Sequence, residues 1–241
     1  MNLPLYKNRL QAGKQLAQLV SSAIAELHLA GVEVQPIVYA LPRGGIPVAL
    51  PIARQLACPL DIIIAKKITL PLNREMAVGA VTADGYTIWH STRKRRATTS
   101  SQLNQALHNA QQKAQAQQDL FACVSPQISA QGKIAIVVDD GTATGMTMEA
   151  AVQSLQPYQP EQIWICVPVA PPEVLNLWQK RIEASTLGAN RLFILSTPSP
   201  FVSVSRFYLK FPQVDDEEAL SALQEYVEEQ EFKKQGLEGK N

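Results

Sequence analysis

The stretch Lys133–Met148, KIAIVVDDGTATGMTM, contains the pattern that decides the fold of this chain. Its first part is rich in apolar, β-branched residues, which predicts a buried strand. These residues are Ile134, Ile136, Val137 and Val138. Two acids and a Gly-Thr-Ala-Thr-Gly turn follow, and the segment after the turn is compatible with a helix. The sequence therefore predicts a strand, a loop and the start of a helix.

The loop of this unit carries groups that can hold a phosphate. In open α/β sheets, ligands bind at the carboxyl ends of the parallel strands. Thr142, Thr144 and Thr147 offer hydroxyls, and Gly145 allows backbone N–H groups to approach closely. The following helix would add the positive end of its dipole. The two adjacent carboxylates would repel a bare phosphate, so they favour a ligand that also carries hydroxyls or a magnesium ion.

The run from Val137 to Thr147 resembles the phosphoribosyl-pyrophosphate (PRPP) loop of the type I phosphoribosyltransferases. In that family the acid pair contacts the 2′ and 3′ hydroxyls of ribose, and the Thr/Gly turn wraps the 5′-phosphate. By this resemblance Asp139 and Asp140 are the catalytic pair. The 5′-phosphate cradle is assigned to Gly141, Thr142, Ala143, Thr144, Gly145, Met146 and Thr147. An ordinary strand-turn-helix unit with aspartate as a helix cap is the alternative.

Length and composition set wider limits. At 241 residues the chain fits one large α/β domain or two small ones. Its net charge of +1 gives no general indication of nucleic acid or of a membrane surface as a partner. The cysteines at 58, 123 and 166 lie far apart in apolar surroundings, which predicts reduced core residues in a cytoplasmic protein. The sequence contains no apolar run of about 18 residues, the length that a membrane span needs.

Strand and helix patterns alternate along the rest of the chain, which predicts an α/β fold with a mostly parallel central sheet flanked by helices. The resemblance adds a small hood region to this single domain. We expect the domain and hood to occupy residues 1–218, and residues 219–241 to form a C-terminal helix and a frayed tail. Predicted strands cover 34–40, 60–65 (a buried central strand), 73–81, 86–89, 162–169 and 192–195, and predicted helices cover 5–30 and 103–120.

A second anion-binding arrangement follows the first predicted strand at Leu41–Gly45, LPRGG. A guanidinium can clamp phosphate oxygens, and glycines let the backbone approach. The segment resembles the pyrophosphate-binding loop of the same family, although a plain tight connection is the alternative. On this resemblance we assign Arg43, Gly44 and Gly45 to the pyrophosphate. Lys66 and Lys67 follow the strand predicted at 60–65, and one of them, for which we take Lys67, could reach the leaving pyrophosphate as a point charge. The alternative for Lys67 is a solvated strand end.

The basic run from Arg93 to Arg96 lies where family members carry a mobile loop that closes over the site. A solvated surface loop and a nucleic-acid contact are the alternatives. The run contains no aromatic residues to stack on bases, which argues against nucleic acid.

The neighbourhood of Phe201 supplies, in related transferases, a ring that stacks on the base. We therefore assign base binding to Phe201 and Val202, with a core aromatic as the alternative. The element Phe207-Tyr208-Leu209-Lys210-Phe211, together with PRGG and VVDDGTATG, is similar to a group of stand-alone bacterial phosphoribosyltransferase-like proteins.

The resemblance implies transfer of the 5-phosphoribosyl group from PRPP to a nitrogen acceptor, of the nucleobase kind, with release of pyrophosphate. It implies Mg²⁺ held mainly by the substrate, without a dedicated metal site, and allows a homodimer. Transferases for 6-oxopurines carry a third acid where this chain has Ala143, which argues against those bases. A PRPP-binding regulator or an inactive relative is the alternative function.

Overall fold

The computed structural model describes residues 4–70, 73–90 and 99–238, and within them the chain forms six α-helices and eight β-strands. The helices are α1 Arg9–Leu29, α2 Ile46–Leu56, α3 Ser100–Phe121, α4 Met146–Leu155, α5 Pro172–Glu183 and α6 Asp216–Glu238. The strands are β1 Pro36–Ala40, β2 Leu60–Ile62, β3 Ala65–Leu70, β4 Asn73–Thr82, β5 Thr87–Trp89, β6 Ile134–Val138, β7 Gln162–Val169 and β8 Arg191–Ser196.

The main sheet has five parallel strands in the order β2-β1-β6-β7-β8. Strand β6, the apolar part of the deciding stretch, lies at its centre, and all five of its residues are buried. Continuous burial of this kind is expected where helices cover both faces of a parallel sheet. The prediction of an α/β domain with a mostly parallel central sheet is therefore confirmed.

Helices cover the two faces unequally. On one face, α1, α2 and α6 contribute Leu16, Ile52 and Leu223 to the larger core cluster. On the other face, α4 and α5 contribute Val152 and Trp178 to the second cluster. Helix α6 begins at Asp216, and its buried Leu223 and Tyr226 make it part of the larger core cluster.

A second, antiparallel sheet with the order β3-β4-β5 forms the predicted hood. Its strands β4 and β5 pair as an antiparallel hairpin and match the strands predicted at 73–81 and 86–89. Ala77 and Ala80 of β4 pack on Met146 and Ala150 of α4. The hood therefore rests on the helix that follows the threonine-rich loop.

The predicted central strand at residues 60–65 is wrong in two respects. Strand β2 ends at Ile62 and lies at an edge of the main sheet, whereas Ala65 begins β3 of the hood. The run is nonetheless buried, because Ile64 packs in the larger core cluster and because Asp61 accepts a hydrogen bond from the N–H of Ile128 in a neighbouring loop. Strand β1 flanks β2 on one side only, so burial on the other side comes from loop packing.

The cysteine prediction holds for two of the three residues. Cys58 and Cys166 are buried, and burial raises the pKa of the Cys58 thiol to about 12. Cys123 is exposed, so its assignment to the core is wrong. It lies two residues beyond the end of α3, where the side chain of Phe121 takes the core position. Among the described helices, none has the length and apolar character to cross a membrane.

Candidate active site

The loop after β6 is pinned to the main sheet and ends at the first turn of a helix. The N–H of Thr142 donates to the carbonyl oxygen of Val169 over 2.9 Å, and the N–H of Gly145 donates to the Thr142 hydroxyl over 2.8 Å. Gly145 has a φ of +74°, which L side chains rarely adopt. Ala143 and Thr144 are exposed at the tip, and Met146 begins α4. The predicted phosphate cradle therefore forms one continuous turn at a helix N-terminus.

A tryptophan forms the floor beneath this turn. A Cβ on Gly145 would lie 2.7 Å from Cζ2 of Trp178, so the backbone rests directly on the indole ring. The ring is fixed in turn, because its Nε1–H donates to Oε1 of Glu149 over 2.9 Å. Arg181 pairs with the other carboxylate oxygen of Glu149. The loop is therefore supported by a buried polar network that joins α4 to α5.

The acid pair lies at the carboxyl end of β6 and is held by contacts to the backbone and the carboxylate of Asp140. The N–H of Asp140 donates to Oδ1 of Asp139 over 2.8 Å. The hydroxyl of Tyr208 donates to the carbonyl oxygen of Asp140 over 2.6 Å. Nε of Arg9 contacts Oδ2 of Asp140 at 2.7 Å. Both side chains of this ion pair are largely buried, with 9% of Arg9 and 14% of Asp140 exposed.

Arg9 is a site residue that the sequence analysis missed. Its Cζ atom lies 3.5 Å from the centre of the Phe211 ring, and its Nη1 donates to the carbonyl oxygen of Pro212 over 2.7 Å. Tyr208 also stacks near Phe211, with ring centres 5.0 Å apart. The Phe-Tyr-x-x-Phe element therefore builds the seat in which Arg9 meets Asp140. An arginine on the buried face of α1 was the one available signal.

The two carboxyls have raised pKa values. Burial is the main cause at Asp139 and the charge of Asp140 adds to it, so the pKa of Asp139 lies well above its usual range. The hydrogen bond from Asp140 and the charges of Lys67 and Arg9 act in the opposite direction. Burial also raises the pKa of Asp140, and Arg9 opposes that shift. Because Arg9 pairs with Asp140, we expect the charge of the pair on Asp140 and the proton on Asp139.

This assignment gives a pH-dependent stability. An aspartate whose pKa is raised on folding binds more protons in the folded state, so the free energy of unfolding falls as pH rises from about 4 through the raised pKa. Asparagine at position 139 has no such titration. We therefore expect Asp139→Asn to gain stability relative to the wild type as pH increases, measured by urea unfolding at several pH values. A constant difference between the two proteins across pH would contradict the assignment.

The Pro-Arg-Gly-Gly segment packs directly against the acid pair. A Cβ on Gly44 would lie 2.1 Å from Oδ2 of Asp140, and one on Gly45 would lie 2.5 Å from the carbonyl oxygen of Leu41. The peptide bond between Pro42 and Arg43 is cis. The structure therefore brings Gly44 and Gly45 to the predicted site.

The side chain of Arg43 points away from the acid pair, against which the two glycines pack. Its Nη1 lies 3.4 Å from Oδ2 of Asp216, at the start of α6. The predicted contact of this guanidinium with a pyrophosphate stays a prediction. Lys67 is exposed on β3, and its charge acts on Asp139, which places it on the side of the acid pair.

The two glycines differ in what opposes a side chain, which gives a matched pair of variants. At Gly45 the obstacle is fixed backbone, since the carbonyl oxygen of Val138 would lie 2.7 Å from the new Cβ. We expect Gly45→Ala to lose about 1–3 kcal/mol of unfolding free energy in urea. At Gly44 the obstacle is the Asp140 carboxylate, so Gly44→Ala should displace Asp140 and disturb its pair with Arg9. The cost of Gly44→Ala should therefore be smaller in an Asp140→Asn background, where that ion pair is already lost, whereas the cost of Gly45→Ala should be the same in both backgrounds. An equal cost of Gly44→Ala in both backgrounds would contradict this reasoning.

The predicted base-binding residues border the threonine-rich loop. Phe201 is half-buried, and its ring centre lies 5.1 Å from that of Phe207. Val202 is 66% exposed. Val204, two residues further on, would contact a Cβ on Gly141 at 2.7 Å. This segment is therefore close to the predicted site, while Phe201 also has packing partners of a core aromatic.

Two further predictions concern residues or ions that the structure does not place. The basic run from Arg93 to Arg96 lies outside the described residues. Within residues 4–70, 73–90 and 99–238, no group of three or more His, Cys, Asp or Glu side chains is arranged to hold a metal ion. The acid pair does offer carboxylate oxygens, which suit Mg²⁺ when the substrate supplies most of the remaining ligands.

Comparisons with known proteins agree with this geometry. The family model described as the phosphoribosyl transferase domain matches residues 7–186. A Mycobacterium tuberculosis (strain CDC 1551 / Oshkosh) protein, provisionally named a phosphoribosyl transferase, is 31% identical over 223 residues. This alignment covers 92% of the chain and 47% of that protein, so the chain spans about half the length of this curated relative.

A solved structure shares the fold over nearly all of both chains. The crystal structure of TT1426 from Thermus thermophilus is 32% identical in sequence and superposes with a TM-score of 0.70. The match covers 92% of this chain and 98% of that chain. The two chains therefore share one architecture over most of their length.

Proposed function

Because this chain belongs to the phosphoribosyltransferase family, we propose that it transfers the 5-phosphoribosyl group of PRPP to a nitrogen nucleophile and releases pyrophosphate. The observation that carries the proposal is the contact of Gly44 with the Asp140 carboxylate. It places the acid pair between the threonine-rich loop and the Pro-Arg-Gly-Gly segment. A ribose bound at the acid pair would have its 5′-phosphate on one side and its pyrophosphate on the other.

The threonine-rich loop would bind the 5′-phosphate. Its tip is exposed, and the first turn of α4 offers backbone N–H groups and the positive end of the helix dipole. The backbone is fixed by Trp178 below and by Val169 beside it. A cradle fixed in advance loses little conformational entropy when it binds the phosphate.

The acid pair would orient the ribose and stabilise the transition state. Departure of pyrophosphate leaves positive charge on the ribose ring at C1, and a carboxylate nearby stabilises that charge. Asp140 is suited to this role because its pairing with Arg9 favours the ionised form, against the burial that raises its pKa, and holds the carboxylate in place. Asp139, with its raised pKa, would donate a hydrogen bond to a ribose hydroxyl or accept one from it.

The leaving pyrophosphate would be bound by the backbone of Gly44 and Gly45 and by Lys67. The glycines allow a close approach, and Lys67 lies on the same side as Asp139. Asp139 and Asp140 are the residues that would contact a substrate-bound Mg²⁺, which would neutralise charge on the pyrophosphate. Phe201 and Val202 would bind the acceptor beside the loop.

The free thiols of all three cysteines fit a reducing compartment, and we propose that the protein acts in the cytoplasm.

The decisive experiment is pyrophosphate release from PRPP with Mg²⁺, measured alone and with a panel of purine and pyrimidine bases. Release that depends on one base would establish the transfer and identify the acceptor. PRPP binding by calorimetry without release under any condition would support the regulatory alternative. If the protein neither binds PRPP nor releases pyrophosphate, both the transferase and the regulatory function are contradicted.

A further inference from the structure

A separate cavity of about 580 Å³ opens behind the Pro-Arg-Gly-Gly segment, on the side of α3 and the start of α6. Its charged lining consists of Arg43, Lys66, Lys113 and Asp216, and its apolar lining includes Pro42 and Leu120. Neither the acid pair nor any residue of the threonine-rich loop lines it. Arg43 is the one lining residue that the sequence also predicts to bind pyrophosphate.

The two neighbouring lysines of β3 show that the cavity is separate from the proposed catalytic site. Successive side chains of a strand point to opposite faces. The charge of Lys67 acts on Asp139, whereas Lys66 interacts with Arg43, Asp216 and Lys113. Strand β3 therefore presents one lysine to the proposed catalytic site and the other to this cavity.

The cavity concentrates positive charge. Three cations line it against a single carboxylate, at Asp216. Burial is the main cause that lowers the pKa of Lys66, and the like charge of Arg43 lowers it further, which Asp216 offsets in part. Bringing like charges together has an energetic cost that a bound anion would remove. The lining therefore favours an anion with more than one negative charge.

The uncharged residues of the lining indicate what a ligand could carry besides its negative charge. Leu120 is 40% exposed at the same cavity and provides apolar surface together with Pro42. An apolar patch beside the cations suits a ligand that also carries a group with a planar apolar face.

We propose that this cavity is a second anion site, which binds a di- or triphosphate through Arg43, Lys66 and Lys113 and does not need the proposed catalysis in order to bind it. Inorganic pyrophosphate and a nucleoside triphosphate share the chemistry that the cations recognise. The nucleoside would add a contact at Leu120. An anion bound here competes with Asp216 for Arg43, and so acts on the segment that also carries Gly44 and Gly45.

The test is calorimetric titration of the full chain with inorganic pyrophosphate and, separately, with ATP, both in EDTA so that Mg²⁺-dependent binding is suppressed. We expect Lys113→Gln to weaken binding about tenfold, the effect of one lost charge-assisted hydrogen bond. Asp216→Asn should strengthen binding about threefold, because it removes the competing charge. Lys180→Gln is the matched control, because Lys180 is exposed on α5, which packs on the other face of the main sheet. It should leave the affinity for both anions unchanged.

The outcomes separate the sources and the alternatives. If a nucleotide is the ligand, Leu120→Ser should weaken the binding of ATP but not that of pyrophosphate. If the site takes pyrophosphate alone, Leu120→Ser should leave both affinities unchanged. Absence of binding, or equal losses in Lys113→Gln and Lys180→Gln, would overturn the proposal, as would an unchanged affinity in Asp216→Asn. Because Lys113 lies outside the proposed catalytic machinery, Lys113→Gln should retain wild-type PRPP turnover, so failure here leaves the proposed function untouched.

Discussion

Asp140→Asn is expected to lower pyrophosphate release from PRPP by a factor of about 10²–10³, the range found when a charge-stabilising group is removed from an active site. Asparagine preserves the shape of the side chain but removes the negative charge that would stabilise the ribose cation. The 5′-phosphate cradle is untouched by this change. The loss should therefore appear mainly in kcat, with a smaller change in KM.

Asp139→Asn is the matched comparison. If Asp139 already carries the proton of the pair, asparagine mimics it as a neutral group, and turnover should fall less than in Asp140→Asn. A larger loss of turnover from Asp139→Asn would show that the assignment of the catalytic charge to Asp140 is wrong. Both proteins should be assayed at a temperature where circular dichroism shows them folded, because Asp140→Asn also removes the partner of a buried arginine.

Several parts of this site could be predicted from sequence because their determinants lie within a short run. A strand, two acids, a threonine-rich turn and a helix start are contiguous from Ile134 to Met148, and strand β6 and helix α4 form there. The parallel sheet followed from the alternation of elements, and strand β7 matches its predicted bounds, 162–169.

Other parts depend on contacts between distant segments. Arg9 and Asp140 are 131 residues apart. The amphipathic pattern of α1 places Arg9 on the buried face but does not identify its partner. The direction of the Arg43 side chain depends on Asp216, which lies far along the chain at the start of α6. The division of residues 60–70 between two sheets was hidden because only Ile63 and Ile64 separate β2 from β3, and isoleucine is itself a strand-forming residue.

Arg9→Met is expected to cost about 3–5 kcal/mol of unfolding free energy, because it leaves the Asp140 carboxylate buried without its partner. Methionine retains much of the volume of the arginine stem and can pack on Phe211, so the loss would report mainly on the charge. The measurement is urea unfolding at neutral pH. The exposed pair of Arg54 and Glu229 is the matched control: it is equally short at 2.8 Å but about two-fifths exposed. We expect Arg54→Met to cost about 0–1 kcal/mol.

The double variant Arg9→Met with Asp140→Asn separates the ion pair from the packing around it. Each single change leaves one buried group without its partner, whereas the double change leaves neither charge behind. Its cost should therefore be smaller than the sum of the two single costs by about 0.5–3 kcal/mol, the range for groups in direct contact. Strict additivity would mean that Arg9 stabilises the fold only through Phe211 and Pro212.

A pH profile then tests whether Arg9 also positions the catalytic charge. Arg9 lowers the pKa of Asp140, so its removal raises that pKa, and a higher pH is needed to keep the carboxylate ionised. Turnover by Arg9→Met should consequently recover as pH rises, and the acidic limb of its pH profile of kcat should lie at higher pH than in the wild type. A purely structural arginine would lower activity by the same factor at every pH. A displaced limb, by contrast, requires that the charge on Asp140 serves the reaction and that Arg9, from the first helix of the chain, maintains it.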